Sequence, residues 1–436
     1  MASGTLPAIE PMPPAAPAIL PWARSGLGLL RNPTAFLTRC RARLGDTFVV
    51  DAFGFRLFCV FSPAGVRALY ALPEHVASKG FADYALLRYK VPDELFVGRR
   101  NFPHHLFGNN DVEIYIENLE EAVRLQLEEL GREGSFEVFT YARRLGHRLG
   151  LASWAGVECA SSKRLNQLIP LFDRLDASES FVHPGRGFAT WATGKHRERA
   201  AMDAIEKIVA EVLSERERKG EPRGDFLERI SSSWADVAGE DRARGIARDL
   251  ILIHMGSQSN LFAAMAWTLV NLLLRPQYLQ RVMQYDDALL EQCANESIRM
   301  AQRSITLRAV MRSAEIDDGD RNYRIAPGAF IATMLSVTNT TAAPGLECFD
   351  PAHYNGRRLV PIADLAASEL VSTFGHGRHA CPAQRFSISA IRIALRRLLD
   401  HYHLRPRFTT ARPLPRQIGA VARAAEPCIV TYRTRK

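Results

Sequence analysis

The chain has 436 residues, 47% of them hydrophobic and 24% charged, a balance that suits a folded protein and excludes an extensively disordered one. The formal charge is +9, spread along the chain rather than gathered into a tail, so nucleic acid is not favoured over an acidic protein partner. Seven cysteines, at 40, 59, 159, 293, 348, 381 and 428, form no CxxC pair, which argues against a zinc ribbon or a disulfide-stapled scaffold and for reduced thiols in a cytosol.

Residues 1–20 are rich in proline and alanine and lack a basic n-region before an apolar core. They read neither as a secretory signal nor as a membrane anchor, and residues 1–30 are expected to form a proline-rich surface lead-in. Residues 47–61 alternate β-branched and aromatic side chains around Gly54, the pattern of a hairpin. Ser62-Pro63 then opens a helix over 63–72, and charged and apolar residues recur at helical spacing over 113–130 and 196–219.

The stretch 249–274, DLILIHMGSQSNLFAAMAWTLVNLLL, is long enough to span a bilayer. Its middle carries His254, Ser257, Gln258, Ser259 and Asn260, where a lipid-facing helix would bear the greatest cost. It is therefore read as a buried helix, ended by Arg275-Pro276. A helix over 288–301 follows, then strand-like runs at 305–310 and 323–337 with an Ala326-Pro327-Gly328 turn. A loop-rich stretch leads to Thr373 and a last helix to 383–400. With no repeat, linker or clear boundary, residues 1–436 read as one domain, mainly α with a small β-sheet drawn from both ends of the chain.

The densest local signal is TFGHGRHACPAQRF at 373–386. Gly375 and Gly377 permit positive φ and close backbone approach. Cys381 precedes Pro382, a residue suited to the first helical turn, so its sulfur is expected near free N–H groups and a helix dipole that favour a thiolate. Gly375-x-Gly377-x-x-Ala380 also fits a dinucleotide fingerprint, but only 56 residues remain after Ala380, too few for a doubly wound sheet.

These residues resemble the cytochrome P-450 superfamily, whose haem-binding signature FxxGxxxCxG is matched by Phe374, Gly377 and Cys381, with Ala383 in place of the last glycine. The resemblance implies a mainly α, single large cytochrome P-450 fold carrying haem b (iron protoporphyrin IX), with Cys381 as the thiolate ligand of the iron. It also implies that His379 faces a haem propionate. Glu296-x-x-Arg299, 85 residues before the cysteine, matches the family's buried structural pair; its usual arginine partner is replaced by His353 in Phe349-Asp350-Pro351-Ala352-His353. Arg308 falls at the family's propionate-binding arginine, with Arg312 a nearby solvent-facing alternative. His104-His105 lie where further propionate contacts are common.

The long apolar helix then corresponds to the oxygen-binding helix. The family's acid–threonine pair is absent; Gly256-Ser257-Gln258-Ser259-Asn260 stands there. With Trp267 seven residues after Asn260, the run is similar to that of the prostacyclin synthases and the sterol 7α- and 12α-hydroxylases. Asn260, Gln258 and Ser257 are the candidate catalytic residues, able to hold water or oxygen but not to donate as an acid does. Aromatic and leucine residues at 84–107, namely Tyr84, Leu86, Leu87, Tyr89, Phe96 and Phe102, suit a loop over an apolar pocket.

The expected activity is insertion of one oxygen atom from dioxygen into a hydrophobic molecule such as a steroid, terpenoid or fatty acid. Electrons would come from a separate ferredoxin and ferredoxin reductase steered by charge. A peroxide-using isomerase or peroxygenase is the rival within the fold, and a non-catalytic haem-binding protein the rival outside enzymes. A cytoplasmic monomer without a membrane anchor is expected.

Overall fold

Phe53 and Gly54 both take positive φ, 51° and 83°, the geometry that closes a two-residue hairpin with the right twist. The computed structural model containing that turn describes residues 9–10, 12–18, 24–99, 107, 112–176, 184–220 and 225–435. The N-terminal part supplies β1 (Ile9–Glu10), α1 (Gly26–Arg31), α2 (Pro33–Leu44), the hairpin β2 (Thr47–Ala52) and β3 (Phe55–Val60), α3 (Pro63–Ala71), β4 (Ala77–Ser78) and α4 (Lys79–Leu87). Next come α5 (Val112–Leu130), β5 (Glu133–Glu137), α6 (Val138–Trp154), α7 (Ser162–Leu175), α8 (Pro184–Ala192), α9 (His196–Lys219), α10 (Phe226–Ser232) and α11 (Gly239–Leu273). The remainder holds α12 (Pro276–Met283), α13 (Asp287–Ala301), β6 (Ile305–Val310), β7 (Ala314–Asp317), β8 (Asn322–Ile325), β9 (Phe330–Met334), α14 (Leu335–Thr341), β10 (Tyr354–Asn355), β11 (Arg358–Leu359), α15 (Gln384–His401), β12 (Tyr402–Pro406) and β13 (Ile429–Thr434). Helix dominates, as expected.

The largest sheet has the order β2-β3-β9-β6-β4, parallel only between β3 and β9. The C-terminal strands are not part of it: β12 and β13 join β5 in a separate sheet. Parts of the lead-in are tied down rather than free on the surface: Ile9–Glu10 pair with β8 in a three-stranded sheet, and residues 14–16 run beside β2 of the large one. Ala16 N–H donates to Val49 O at 2.7 Å, Val49 N–H to Pro14 O at 2.9 Å, and Ala16 is buried.

Several helices begin where a side chain satisfies the first free N–H groups. Ser62 accepts from Gly65 N–H ahead of Pro63, and Asp286 accepts from Leu289 N–H. The helix expected over 249–274 starts earlier, at Gly239, because its amphipathic first turns are held from outside by pairs such as Arg248–Glu206 at 2.7 Å. The strand expected to run to residue 337 stops at Met334. Burial of Leu335–Asn339 overrides their β-branched preference, and the Thr340 and Thr341 hydroxyls bond back to Ser336 O and Val337 O.

The core surrounds α11, which is buried along most of its length from Gly245 onward. Helix α6 lies against it so closely that a Cβ on Gly146 would come within 3.0 Å of Phe262 Cβ. No helix among the described residues is long and apolar enough to cross a membrane.

Candidate active site

The loop before α15 is shaped by two local bonds. Cys381 N–H donates to Phe374 O at 2.6 Å, and Gly375 N–H to Ser372 Oγ at 3.0 Å. Gly375 has φ 78°, and a Cβ there would lie 2.7 Å from His379 O, so only glycine fits. Gly377, at φ 58°, opens the short turn Gly377–His379, whose first two residues are exposed while His379 turns inward. The chain thereby returns on itself and presents Cys381 to a cavity.

That cavity, about 670 Å³, is lined on one side by Phe374, Gly375, His379, Cys381, Pro382 and Ala383, and on the other by Gly256, Ser257 and Asn260 of α11. Most of its remaining wall is apolar, including Leu86, Phe107, Leu252, Ile253 and Phe330. Burial pushes the Cys381 thiol above its ordinary pKa, with the Ala383 N–H acting against it. Of the helix-terminal groups expected to favour a thiolate, the Ala383 N–H acts in that direction, against the larger effect of burial.

The helical period decides which candidates on α11 reach the cavity. Residues 256, 257 and 260 share a face, whereas residue 258 points to the opposite one. Gln258 is buried there with Nε2 3.4 Å from Phe172 O and Oε1 without a partner, so it does not join Ser257 and Asn260. Ser257 Oγ donates to His254 O at 3.0 Å. Asn260 Oδ1 accepts from Val421 N–H at 3.1 Å, and Trp267 donates to Ala422 O at 2.6 Å. The Asn–Trp spacing thus fastens two successive residues of one segment.

At one end of the cavity Arg308 Nη2 lies 2.7 Å from Glu74 Oε1 and 2.9 Å from His379 Nε2. Arg308 also donates to Leu69 O at 3.1 Å and to Leu72 O, while its buried Nε has no partner. Burial pushes Glu74 up, yet hydrogen bonds from Arg308 and Ser78 hold its carboxyl below the usual range.

Away from the cavity, Glu296 and Arg299 are fully buried and meet through two bonds of 2.7 and 2.6 Å. His353 Nδ1, 3.0 Å from Glu296 Oε1, reaches the pair from the position expected of an arginine. Arg299 also donates to Asn339 O and to Leu346 O. Asn339 Nδ2 donates to Ser372 O at 2.9 Å and its Oδ1 accepts from Ser372 N–H at 2.8 Å, so the ion pair is tied to the cysteine loop.

Other expectations are divided. Leu86 lines the cavity. Tyr84 packs edge-on against Phe96 and Tyr89 against Trp191, and none of the three lines it. Phe102, His104 and His105 lie outside the described residues. Glu74, Asn339 and the cavity-lining Tyr70, Lys79 and Trp154 were not singled out by the sequence. Only Lys79, with Asp83 four residues on at helical spacing, offered a readable signal.

A cysteine facing an apolar cavity opposite a long helix, with a buried Glu–Arg pair behind its loop, is matched by the cytochrome P450 family over residues 184–431, more than half of the chain. The chain belongs to that family. Among similar proteins, the human 24-hydroxycholesterol 7-alpha-hydroxylase is 20% identical, covering 97% of this chain and 94% of that protein. The abscisic acid 8'-hydroxylase 4 of Arabidopsis thaliana is 20% identical over 85% of this chain and 82% of its own length. The P450 monooxygenase ptmU of Penicillium ochrochloron is 25% identical over 48% and 46% respectively.

This P450 is a monooxygenase, and its family implies a haem cofactor. The site fits one. The cavity is lined by the Cys381 thiol and by His379, which meets the Arg308 guanidinium with its unpartnered buried Nε just behind the wall, and it is open in front of Gly256, where a Cβ would meet nothing within 4 Å.

Proposed function

We propose that this P450 binds haem b through Cys381 and hydroxylates a hydrophobic substrate of the steroid, terpenoid or fatty-acid type. The observation that carries the reading is Cys381 lining the same cavity as Gly256, Ser257 and Asn260. Arg308 and His379 would hold haem propionates, and Phe374 and Ala383 would pack beside the ring. Gly377 supports the turn before the cysteine, and Glu296 with Arg299 fixes the core behind the loop. The haem, when bound, supplies the oxygen-activating chemistry.

The rest of the work falls to the chain. The apolar wall desolvates and orients the substrate. Asn260 keeps Oδ1 on Val421 and has Nδ2 left to hold a water or an oxygen, and Ser257 contributes a second hydroxyl on the same face. A steroid-like substrate is supported by the human relative, which acts on 24-hydroxycholesterol according to its name, and by the mostly apolar wall of the cavity.

Exposed Arg378 and Arg385 flank Cys381, which suits an acidic ferredoxin served by its reductase. A monomer in the cytoplasm is the accompanying reading, and all seven cysteines are free thiols.

The test is the carbon monoxide spectrum of the reduced protein beside Cys381→Ser. The variant should lose a strongly red-shifted Soret band that the wild type shows. Sterols, terpenoids and fatty acids are then screened for spectral shifts and for product formed with an added ferredoxin and reductase. A haem-loaded wild type without the band would remove the thiolate assignment. Turnover with peroxide alone, with none from the redox partners, would make the protein a peroxygenase.

A further inference from the structure

The hydrogen bonds behind Trp154 run in one direction. Its indole N–H can only donate, and it does so to His254 Nδ1 at 3.2 Å. His254 must then carry its proton on Nε2, which lies 2.8 Å from His147 Nδ1. That leaves His147 protonated on Nε2, 3.6 Å from Asp173 Oδ1. Both imidazoles are buried between α6 and α11. Burial pushes His147 down to about 3 and His254 well below its ordinary value, so both are neutral near pH 7.

The two ends of this chain face different surroundings. Trp154 lines the active-site cavity and packs against Phe386, five residues beyond Cys381. Asp173 is about one-third exposed and lines an outer cleft with Arg143, Asp176 and Arg423. A purely structural indole needs only a carbonyl, as Trp267 has in Ala422 O. Trp154 is given a neutral base, a second base and a carboxylate, the sequence of groups that removes a proton.

We propose that Trp154 is a redox-active residue of the cavity and that His254, His147 and Asp173 form the path by which its proton leaves on oxidation. The step rests on the haem-thiolate reading, because a haem monooxygenase generates a strong one-electron oxidant that remains unspent when no substrate is bound. One electron passes from the indole to that oxidant, which is reduced by one. The Nε1 proton moves to His254 Nδ1, the His254 Nε2 proton to His147 Nδ1, and the His147 Nε2 proton to Asp173 Oδ1. Each N–H or O–H bond formed replaces one broken.

Trp154 ends as a neutral radical, Asp173 as a neutral acid, and both histidines as neutral rings in the opposite tautomer. No charge stays in the core, where a cation radical would be poorly solvated. The last gap exceeds a hydrogen bond; Arg143 holds the same Asp173 Oδ1, so the carboxylate must turn toward His147 within that ion pair, and its protonation leaves the Arg143 charge at the partly exposed outer cleft rather than in the core.

The experiment mixes haem-loaded protein with a peracid in the absence of substrate, freezes it within milliseconds and records the EPR spectrum. Wild type is compared with Trp154→Phe, His254→Leu, His254→Gln and Asp173→Asn. The reduced carbon monoxide spectrum of each sample comes first, so an absent thiolate band identifies failure of the haem reading separately. With the band present, wild type should give a neutral indolyl radical that Trp154→Phe lacks and a slower peracid bleaching of its haem than Trp154→Phe.

Glutamine at 254 can accept a hydrogen bond but not a proton, so His254→Gln should lose the neutral radical as His254→Leu does. Asp173→Asn should lower its yield several-fold. No indolyl radical in the wild type, one that persists in Trp154→Phe, or one unchanged in both His254 variants would overturn the proposal.

Discussion

His353 Nδ1 stands 3.0 Å from Glu296 Oε1, on a carboxylate oxygen that also accepts from Arg299 and from the Asp350 N–H at 2.9 Å. An imidazole is shorter than a guanidinium, and it reaches because the turn Pro351–His353, capped by Asp350, carries residue 353 toward α13. The histidine therefore keeps a further polar contact on Glu296 Oε1.

The two partners of Glu296 should differ in cost. Removing Arg299 strands a fully buried carboxylate, so Arg299→Ala is expected to lose about 3–5 kcal/mol. His353→Ala leaves the bidentate pair in place and should lose about 1–2 kcal/mol. Denaturant titration of both variants checks this. Equal losses would show that the histidine is as essential to the ion pair as the arginine.

Gly375→Ala tests the cysteine loop. The new methyl would meet His379 O at 2.7 Å on a backbone at φ 78°. A left-handed non-glycine residue costs about 1–3 kcal/mol before the clash is counted. Displacement of the loop should loosen haem, seen as a several-fold faster transfer of haem to an apo-globin acceptor. An unchanged transfer rate would show that the loop adapts. Gly377→Ala, with nothing within 4 Å of the new methyl, should be milder.

The cysteine loop, the Glu296–Arg299 pair and the outline of α9, α11 and β6 were legible because each is specified locally, by turn residues, a motif or a clean period. Helix α6 was not. Its residues VFTYARRLGHRLGLASW carry three arginines, a histidine and two glycines, yet most of the helix is buried. Arg148 is hidden by a pairing with Glu129 on α5, and Gly150 makes room for the Trp154 ring that would otherwise strike a Cβ at 2.4 Å. The burial of the polar residues depends on partners elsewhere in the fold, so their charges mask an apolar period that the helix does carry. Gln258 illustrates the converse: the motif was visible, but the helical period already turns residue 258 away from residues 256 and 260, and in the fold it reaches Phe172 O instead.

The buried histidines predict acid lability. In the unfolded chain each titrates near its ordinary value of about 6.5, whereas burial holds His147 at about 3 and His254 well below normal in the fold. The unfolded state therefore binds more protons below pH 6.5. Stability is full above that value and falls as pH drops toward the folded pKa, by about 1.4 kcal/mol per pH unit for each histidine. His147→Gln should remove about half of this slope between pH 6 and 4.5, measured by denaturant titration at stepped pH. A slope identical to the wild type's would place the acid sensitivity elsewhere.

Asn260 splits its amide between two tasks, and substitutions can separate them. Aspartate keeps an oxygen for the Val421 N–H and replaces the amide NH2 with a group that can carry a proton. Asn260→Asp should therefore retain wild-type stability to within about 1 kcal/mol while raising, several-fold, the product formed per reducing equivalent in a reconstituted reaction. Asn260→Leu loses both functions, so it should cost about 1–2 kcal/mol through the unpaired Val421 N–H and lower the product yield. Thermal unfolding and product-to-cofactor ratios measure the two effects independently. If both variants shift stability alone and leave the ratio at the wild-type value, the cavity face of Asn260 is a wall, and proton supply must enter through another lining residue such as Lys79 or Asp83.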